Sequence, residues 1–168
     1  KMDKPVKVVP YNPHWPEVFQ KECSKMRIEF GDESINIEHI GSTSVPYLCA
    51  KPIIDIMIGI EKIEDFEKLI KPLTALGYKY QPEAEDSIPE RRYFDKPGFH
   101  IHMVEINSDF WRTHIFFREY LRNHPDVRDE YCKLKMDLAR KYQFQRKEYT
   151  KSKEPFIKRI LRKSEIRE

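Results

Sequence analysis

The segment at residues 53–58, Ile-Ile-Asp-Ile-Met-Ile, constrains the fold more than any other part of the chain. As an extended strand it is apolar on both faces apart from the carboxylate of Asp55, and such strands belong at the centre of a sheet. A buried carboxylate is costly unless it is paired or coordinates a metal. The sequence therefore predicts a central strand that carries one acidic group in need of a partner.

Three further segments have the pattern of strands. Residues 35–40 alternate apolar and polar side chains, as a half-buried strand does, and Gly41 ends the segment. Residues 92–94 and 99–105 predict a hairpin, because a Pro-Gly pair lies between them. Together with the central segment they predict a small mixed sheet.

Apolar residues at helical spacing predict one helix before the strands, one between them and three after the hairpin. The first begins at Asn12 or His14, and the second covers residues 63–73. Helices packed against a small mixed sheet make an α/β (α+β) fold. With 168 residues the chain suits one core, so a single domain over residues 1–168 is expected, with a helical C-terminal part at about 108–168.

Composition and charge exclude several kinds of partner. No apolar run approaches the roughly 20 residues of a membrane-spanning helix, and no apolar segment follows the charged start of the chain. We therefore expect no membrane partner, no secretory signal and a cytoplasmic location. The net charge divides into +8 over residues 133–168 and −5 over the remainder. This bias is modest and no recognition motif accompanies it, so no nucleic-acid partner is expected.

The chain has three cysteines, Cys23, Cys49 and Cys132, which are odd in number and widely spaced. Their spacing matches no zinc-binding pattern and favours no disulfide framework. We expect all three to pack in the core.

The first candidate site is the run Gly41-Ser42-Thr43-Ser44, which lies between a predicted strand and a short helical segment. Free backbone N–H groups and the helix dipole at such a junction favour an anion such as phosphate. The same residue types also form ordinary helix caps, and that alternative stays open.

The second candidate is Asp55 itself. Lys51, four residues earlier, could form a buried ion pair with it, and metal coordination is the other interpretation. His100 and His102 are the third candidate, because residues two apart on a strand share a face, whereas Glu105 has the opposite parity. Two imidazoles and one carboxylate could hold a transition metal, and a pair of simply hydrogen-bonded histidines is the alternative.

The fourth candidate is a set of basic residues in the C-terminal helices that could clamp phosphates: Arg118, Arg122, Lys151 and Lys153. Solvated helix faces and local ion pairs, such as that of Arg118 with Glu119, explain the same residues without a ligand.

Taken together, these segments resemble the GrpB family, a group of predicted nucleotidyltransferases whose fold is related to that of DNA polymerase beta. The resemblance spans nearly the whole chain and rests on several motifs in one order: residues 11–16, 38–46, 51–56, 100–102, 117–122 and 130–135. Tyr47 departs from the family, which usually has glycine there, and this implies a differently shaped loop.

The resemblance implies the roles of the site residues. In the wider superfamily a Gly-Ser turn holds nucleotide phosphates, and three acids on neighbouring strands hold two magnesium ions. Gly41 and Ser42 match the turn and Asp55 matches the first acid, but the position of the second acid is Met57. His100 or His102 takes the place of the third acid. Magnesium prefers several hard oxygen ligands, so this acid set is incomplete.

We therefore predict three sets of site residues. Asp55 and His102 are assigned to catalysis, and Asp55, His100 and His102 to a divalent ion, with Mg²⁺ or Mn²⁺ ahead of Zn²⁺. The predicted nucleotide-binding and phosphate-binding residues are Gly41, Ser42, Thr43, Ser44, Lys51, Arg118 and Arg122.

These assignments favour a nucleotidyltransferase-like protein that binds a small nucleotide-like ligand. The alternative is a non-catalytic module for a nucleotide-like or coenzyme A-like ligand, since the family includes domains joined to an enzyme of coenzyme A biosynthesis. A metal-dependent hydrolase built on Asp55, His100 and His102 ranks last.

Overall fold

A computed structural model describes residues 4–165, so both ends of the predicted domain lie outside the described part. Five strands form one mixed sheet: β1 (Asn36–Ile40), β2 (Ile54–Ile60), β3 (Lys79–Tyr80), β4 (Arg92–Lys96) and β5 (Phe99–Glu105). Their order in the sheet is β1-β2-β5-β4-β3. The predicted mixed α/β fold is confirmed.

Strand β2 occupies the interior position that its apolar sequence predicts. It pairs antiparallel with β1 and parallel with β5, while β4 and β5 form the predicted antiparallel hairpin. In this register Asp55 lies beside Ile40 on one side and His100 on the other, and Met57 lies beside His102. The acid and both histidines therefore lie on adjacent strands.

Residues 4–165 form six α-helices: α1 (Trp15–Phe30), α2 (Glu67–Ala75), α3 (Asp109–Asn123), α4 (Pro125–Lys141), α5 (Arg146–Ser152) and α6 (Glu154–Glu165). Four of them follow the hairpin instead of the three predicted. The additional helix, α5, has seven residues and buries only Tyr149, so its sequence has no apolar period. Within residues 4–165, no helix has the length and apolar character needed to cross a membrane.

Different helices cover the two faces of the sheet. Ile54, Ile56 and Ile58 point to the face covered by α1 and α2, where they pack in the main core. Met57 points to the opposite face and packs against Trp111 of α3. Because side chains alternate along a strand, Asp55 shares the α3 face with Met57. This alternation directs the carboxylate toward the C-terminal helices.

The expectation that the cysteines form no disulfide framework is wrong, although Cys49 is buried in the core as expected and Cys132 is half-buried. Cys49 and Cys132 form a disulfide with their Cα atoms 5.4 Å apart. The 83 residues that separate them leave no local spacing from which the pairing could be predicted. Cys23 is a free, buried thiol in the main core, as expected.

Tyr47 has a backbone conformation that usually requires glycine. Its φ angle is 69°, in the left-handed region, and its side chain is 75% exposed. The ring lies 5.9 Å from the ring of Tyr11, and the guanidinium of Arg128 lies 5.5 Å from its centroid. The loop therefore has a backbone that glycine would adopt, and the aromatic side chain projects outward.

Candidate functional site

A cavity of about 380 Å³ lies between the ends of the central strands and the four C-terminal helices. Seven of the predicted site residues line it: Gly41, Ser42, Thr43, Lys51, Asp55, His100 and His102. The side chains predicted separately from the glycine-serine run, the central strand and the hairpin thus face one space.

Gly41 brings the serine-threonine turn into contact with Asp55. Its φ angle is 75°, and a Cβ atom at this position would lie 2.6 Å from Asp55 Oδ2. Real Cβ atoms do not approach an oxygen so closely, so only glycine fits here without displacement of the carboxylate. The glycine sets the corner of the cavity.

The hydroxyls of Thr43 and Ser44 hold the turn together. Thr43 Oγ1 donates to the carbonyl of Ile53 at 3.0 Å and lies 3.0 Å from His39 Nε2, and Ser44 Oγ donates to the carbonyl of Gly41. Burial lowers the pKa of His39 to about 4, so a neutral imidazole donates to Thr43. Thr43 and Ser44 thus have structural partners already.

Two histidines, and not Lys51, pair with Asp55. His102 Nε2 lies 3.1 Å from Asp55 Oδ1, and His100 Nδ1 lies 3.7 Å from the same oxygen. Lys51 forms no ion pair with any carboxylate of residues 4–165. Burial alone would raise the pKa of Asp55, but the His102 hydrogen bond and nearby positive charges outweigh it, and the pKa lies below its usual value. Asp55 is therefore an ionised acid with 28% of its side chain exposed.

The second nitrogen of His102 also has a partner. His102 Nδ1 lies 3.3 Å from Arg91 Nη1, and a guanidinium can only donate. One tautomer satisfies both contacts: Nδ1 accepts from Arg91 while Nε2 donates to Asp55. The imidazole is thereby held between the arginine and the carboxylate.

His114, which is not among the predicted site residues, lines the cavity from α3. Its Nδ1 lies 2.8 Å from the carbonyl of Phe110, and its ring stacks on the Phe110 ring at 3.8 Å. Burial lowers the pKa of His114 to about 4, so the ring is neutral, Nδ1 donates, and Nε2 keeps its lone pair. No strand alternation or motif distinguishes this residue from others on α3.

Three lysines line the cavity from separate parts of the chain: Lys51 before β2, Lys135 on α4 and Lys153 between α5 and α6. The ammonium groups of Lys51 and Lys153 lie 5.4 and 4.7 Å from the Tyr149 ring centroid, and that of Lys135 lies 4.7 Å from Tyr131. Lys135 is 2% exposed and donates to the carbonyl of Cys49.

None of these three ammonium groups forms an ion pair with a carboxylate within the described part of the chain. Burial lowers the pKa of all three lysines; the charge of Lys51 lowers that of Lys153 further, to about 8, and the pKa of Lys135 lies well below its usual value. Removing a cation from water without a counter-ion is unfavourable. Among residues 4–165 the three lysines therefore lack an ion-paired carboxylate, and Asp55 in the same cavity offsets the charge of Lys51 and Lys153 only in part.

A sequence signal for Lys135 does exist. It lies one helical turn after Tyr131, on the buried stripe of α4, where an apolar residue is expected. A lysine on such a stripe points into the protein. Lys153 belongs to the basic residues of the C-terminal helices that could clamp phosphates, but the predicted phosphate-binding set does not include it.

Arg118 and Arg122 do not line the cavity. Arg118 Nη1 donates to Glu38 at 2.8 Å and to the carbonyl of His39 at 2.9 Å, and its Nε donates to Glu119. Arg122 donates through two nitrogens to the carbonyl of Ser44, at 3.0 and 2.8 Å. Both arginines brace the strand and turn that form the cavity, with carboxylates and carbonyls as partners.

The acid set is as incomplete in space as in sequence. Met57 is fully buried among Ile40, Val104 and Trp111, away from the cavity. Glu105 accepts from the backbone N–H of Ile63 at 3.0 Å and points away, as its parity predicts. Among residues 4–165, no group of three or more His, Cys, Asp or Glu side chains is arranged to hold a metal ion. The metal assignment stays a prediction.

Comparison with known proteins decides the family. A model of the GrpB protein family matches residues 5–163. The chain belongs to the GrpB family. The glutamate-rich protein GrpB of Alkalihalophilus pseudofirmus is 35% identical over 161 residues, with 92% of each chain covered. The crystal structure of conserved protein GrpB from Enterococcus faecalis is 36% identical, has a TM-score of 0.84 and covers 94% of this chain and 96% of its own.

Some relatives of this GrpB-family chain are longer than it is. The UPF0157 protein YqkA of Bacillus subtilis is 40% identical over 157 residues, which are 91% of this chain but 45% of YqkA. A dephospho-CoA kinase of Mycobacterium bovis is 25% identical over 180 residues, covering 91% of this chain and 44% of the kinase. The chain thus spans about half the length of these two relatives.

A distant structural similarity concerns the fold alone. The structure of a cytoplasmic RNA terminal U-transferase has a TM-score of 0.53 at 12% identity, covering 76% of this chain and 40% of the transferase. This GrpB-family chain therefore has a fold related to that of a nucleotidyltransferase.

Proposed function

We propose that the chain binds a phosphorylated, nucleotide-like small molecule in the cavity. The observation that carries this proposal is the set of three lysines, Lys51, Lys135 and Lys153, which face the cavity without a carboxylate partner in residues 4–165. A phosphate supplies the negative charge that these ammonium groups lack as an ion-pair partner, together with further acceptor oxygens. Ser42, beside them in the lining, adds a hydroxyl.

The other walls fit the remainder of such a ligand. Phe117, Ile157 and Leu161 give the helical side of the cavity an apolar surface. A nucleobase or an aliphatic arm has the matching character, because small-molecule sites are largely apolar with a few polar groups that fix orientation. Neutral His114 offers its Nε2 lone pair to a hydrogen-bond donor.

A coenzyme A-like ligand is one version of this proposal. The similarity to dephospho-CoA kinase supports it, since that kinase contains a region related to this chain in addition to the remaining half of its length. A ligand with a nucleotide phosphate and an apolar arm would contact both the lysines and the apolar wall.

Nucleotidyl transfer is the second candidate function. The position of ionised Asp55 in the same cavity as Gly41 and Ser42 favours it, and Asp55 and His102 are the residues assigned to catalysis. The burial of Met57 at the position of a second acid favours binding without transfer. Release of pyrophosphate from a nucleoside triphosphate distinguishes the two functions.

Isothermal titration calorimetry tests the binding proposal. We expect heat of binding with nucleoside triphosphates or coenzyme A, and none with adenosine or pantetheine, which lack the phosphates. Lys153→Met removes one cavity ammonium and should weaken affinity about tenfold or more. Lys151→Met, which changes an exposed lysine on α5, is the matched control and should bind as the unchanged protein does. The absence of binding heat with all nucleoside triphosphates and with coenzyme A would refute the proposal.

A further inference from the structure

Asp55 is already hydrogen-bonded to a histidine of the neighbouring strand. Its Oδ1 lies 3.1 Å from His102 Nε2 and 3.7 Å from His100 Nδ1, and its Oδ2 lies against Gly41. His102 is in turn held by Arg91 through its other nitrogen. Oδ1 therefore already has a histidine partner, and Oδ2 faces the glycine of the turn.

Among the described residues that line the cavity, Asp55 is the only carboxylate. Met57 is buried in the α3 core, and Glu105 caps the backbone N–H of Ile63 on the far side of β5. Magnesium and manganese prefer several carboxylate or carbonyl oxygens. A single histidine-paired carboxylate does not provide such a set, in agreement with the lack of a metal-binding group in residues 4–165.

Positive charge is nevertheless present where a phosphate would need it. Lys51 and Lys153 line the same cavity as Asp55, and their ammonium groups lie 5.4 and 4.7 Å from the centroid of the Tyr149 ring. Lys135 adds a third ammonium from α4. Ammonium groups neutralise and hydrogen-bond phosphate oxygens directly, which is the electrostatic part of the role that divalent ions have in phosphate sites.

We propose that the three cavity lysines take the place of divalent cations, so that phosphate groups bind in this cavity without a metal ion. The proposal rests on the proposed function, since it concerns how the same ligand is held. It differs from the metal-bridged site that the fold relationship implies. In the lysine-held site Asp55 repels the phosphate, whereas in a metal-bridged site it would attract the ligand through the ion.

The sign of the Asp55→Asn effect separates the two arrangements. Asparagine has nearly the shape of aspartate, and its Oδ1 can still accept from His102. We expect ATP and inorganic triphosphate to bind Asp55→Asn protein about two- to tenfold more tightly than the unchanged protein, because a negative charge near the phosphates is removed. Lys51→Met should weaken the same binding about tenfold or more.

Calorimetry with both probes, in EDTA and again in Mg²⁺ or Mn²⁺, provides the test. We expect dissociation constants that agree within about twofold between these conditions. Binding that requires the metal and disappears in Asp55→Asn would overturn the inference and leave the proposed function standing. No binding in any condition would overturn both. Circular dichroism and the melting temperature verify that each variant folds.

Discussion

Lys135 donates a hydrogen bond to the backbone carbonyl of Cys49, which precedes it by 86 residues. Cys132, which forms a disulfide with Cys49, lies on α4 nearly one helical turn before Lys135. Lys51 follows Cys49 by two residues. The two contacts therefore hold α4 against the loop that positions Lys51, and set the separation of two cavity lysines from distant parts of the chain.

The disulfide should contribute strongly to stability. Because it closes a long loop, reduction or the Cys49→Ser, Cys132→Ser double substitution should lower the free energy of unfolding by about 4 kcal/mol. Urea unfolding with and without reductant measures the change. The double variant serves as the control, since reductant should have no further effect on it. Three reactive thiols in the unfolded, unreduced protein, instead of Cys23 alone, would contradict the pairing.

Gly41→Ala should damage the site through the contact with Asp55. An added Cβ would lie 2.6 Å from Asp55 Oδ2 at a φ angle of 75°, so both the carboxylate and the backbone must shift. We expect a loss of about 2–3 kcal/mol in urea unfolding, together with weaker ligand binding.

Gly31→Ala is the matched control for this change. Gly31 also has a positive φ angle, 63°, but a Cβ there would have no neighbour within 4 Å. Only the backbone cost of about 1 kcal/mol is expected, without an effect on the ligand. Equal losses in the two variants would show that the contact with Asp55 is unimportant.

Tyr47→Gly should stabilise the protein in spite of the lost ring. The left-handed backbone at φ 69° costs a non-glycine residue about 1–2 kcal/mol, whereas the exposed contacts with Tyr11 and Arg128 recover only part of this. We expect a gain of roughly 0.5–1 kcal/mol in chemical denaturation. Asn107→Gly, at φ 62°, should gain less because asparagine tolerates this conformation. If Tyr47→Gly is instead less stable, the contacts of the Tyr47 ring contribute more free energy than its left-handed backbone costs.

Lys153 should make stability depend on alkaline pH. Its pKa is about 8 in the folded chain and near the ordinary 10.5 when unfolded, so between these values the unfolded state binds more protons. The free energy of unfolding contributed by this residue therefore rises as pH increases from 8 to 10. Comparing the pH profiles of the unchanged protein and Lys153→Met isolates the effect, and parallel profiles would refute it. Lys151→Met should keep the unchanged profile.

Local sequence patterns were enough to predict that Asp55, His100 and His102 lie together. Asp55 interrupts an apolar strand, and His100 and His102 alternate with buried residues, so period two alone placed their side chains on one face. The positions of the three cavity lysines could not be predicted in the same way. Lys51, Lys135 and Lys153 meet through packing of α4 and α5 against the loop before β2, and no sequence spacing encodes that distance.

Dependence on tertiary packing also explains most of the other differences between the sequence-based predictions and the structure. The pairing of Cys49 with Cys132 depends on tertiary contacts 83 residues apart. Helix α5 is too short to show an amphipathic period, so its seven residues did not predict a helix. Arg118 was a phosphate candidate by residue type, whereas its position against Glu38 and the His39 carbonyl follows from the fold alone.

The cavity walls come from distant parts of the chain, with Gly41 and Asp55 on the sheet side and Lys135 and Lys153 in the C-terminal helical part. A ligand bound between these walls contacts both of them, so the complete binding site exists only in the folded protein. Occupancy and global folding are thus thermodynamically linked: the melting temperature should climb with the logarithm of ligand concentration, and a thermal-shift screen can find the natural ligand without any assay of chemistry.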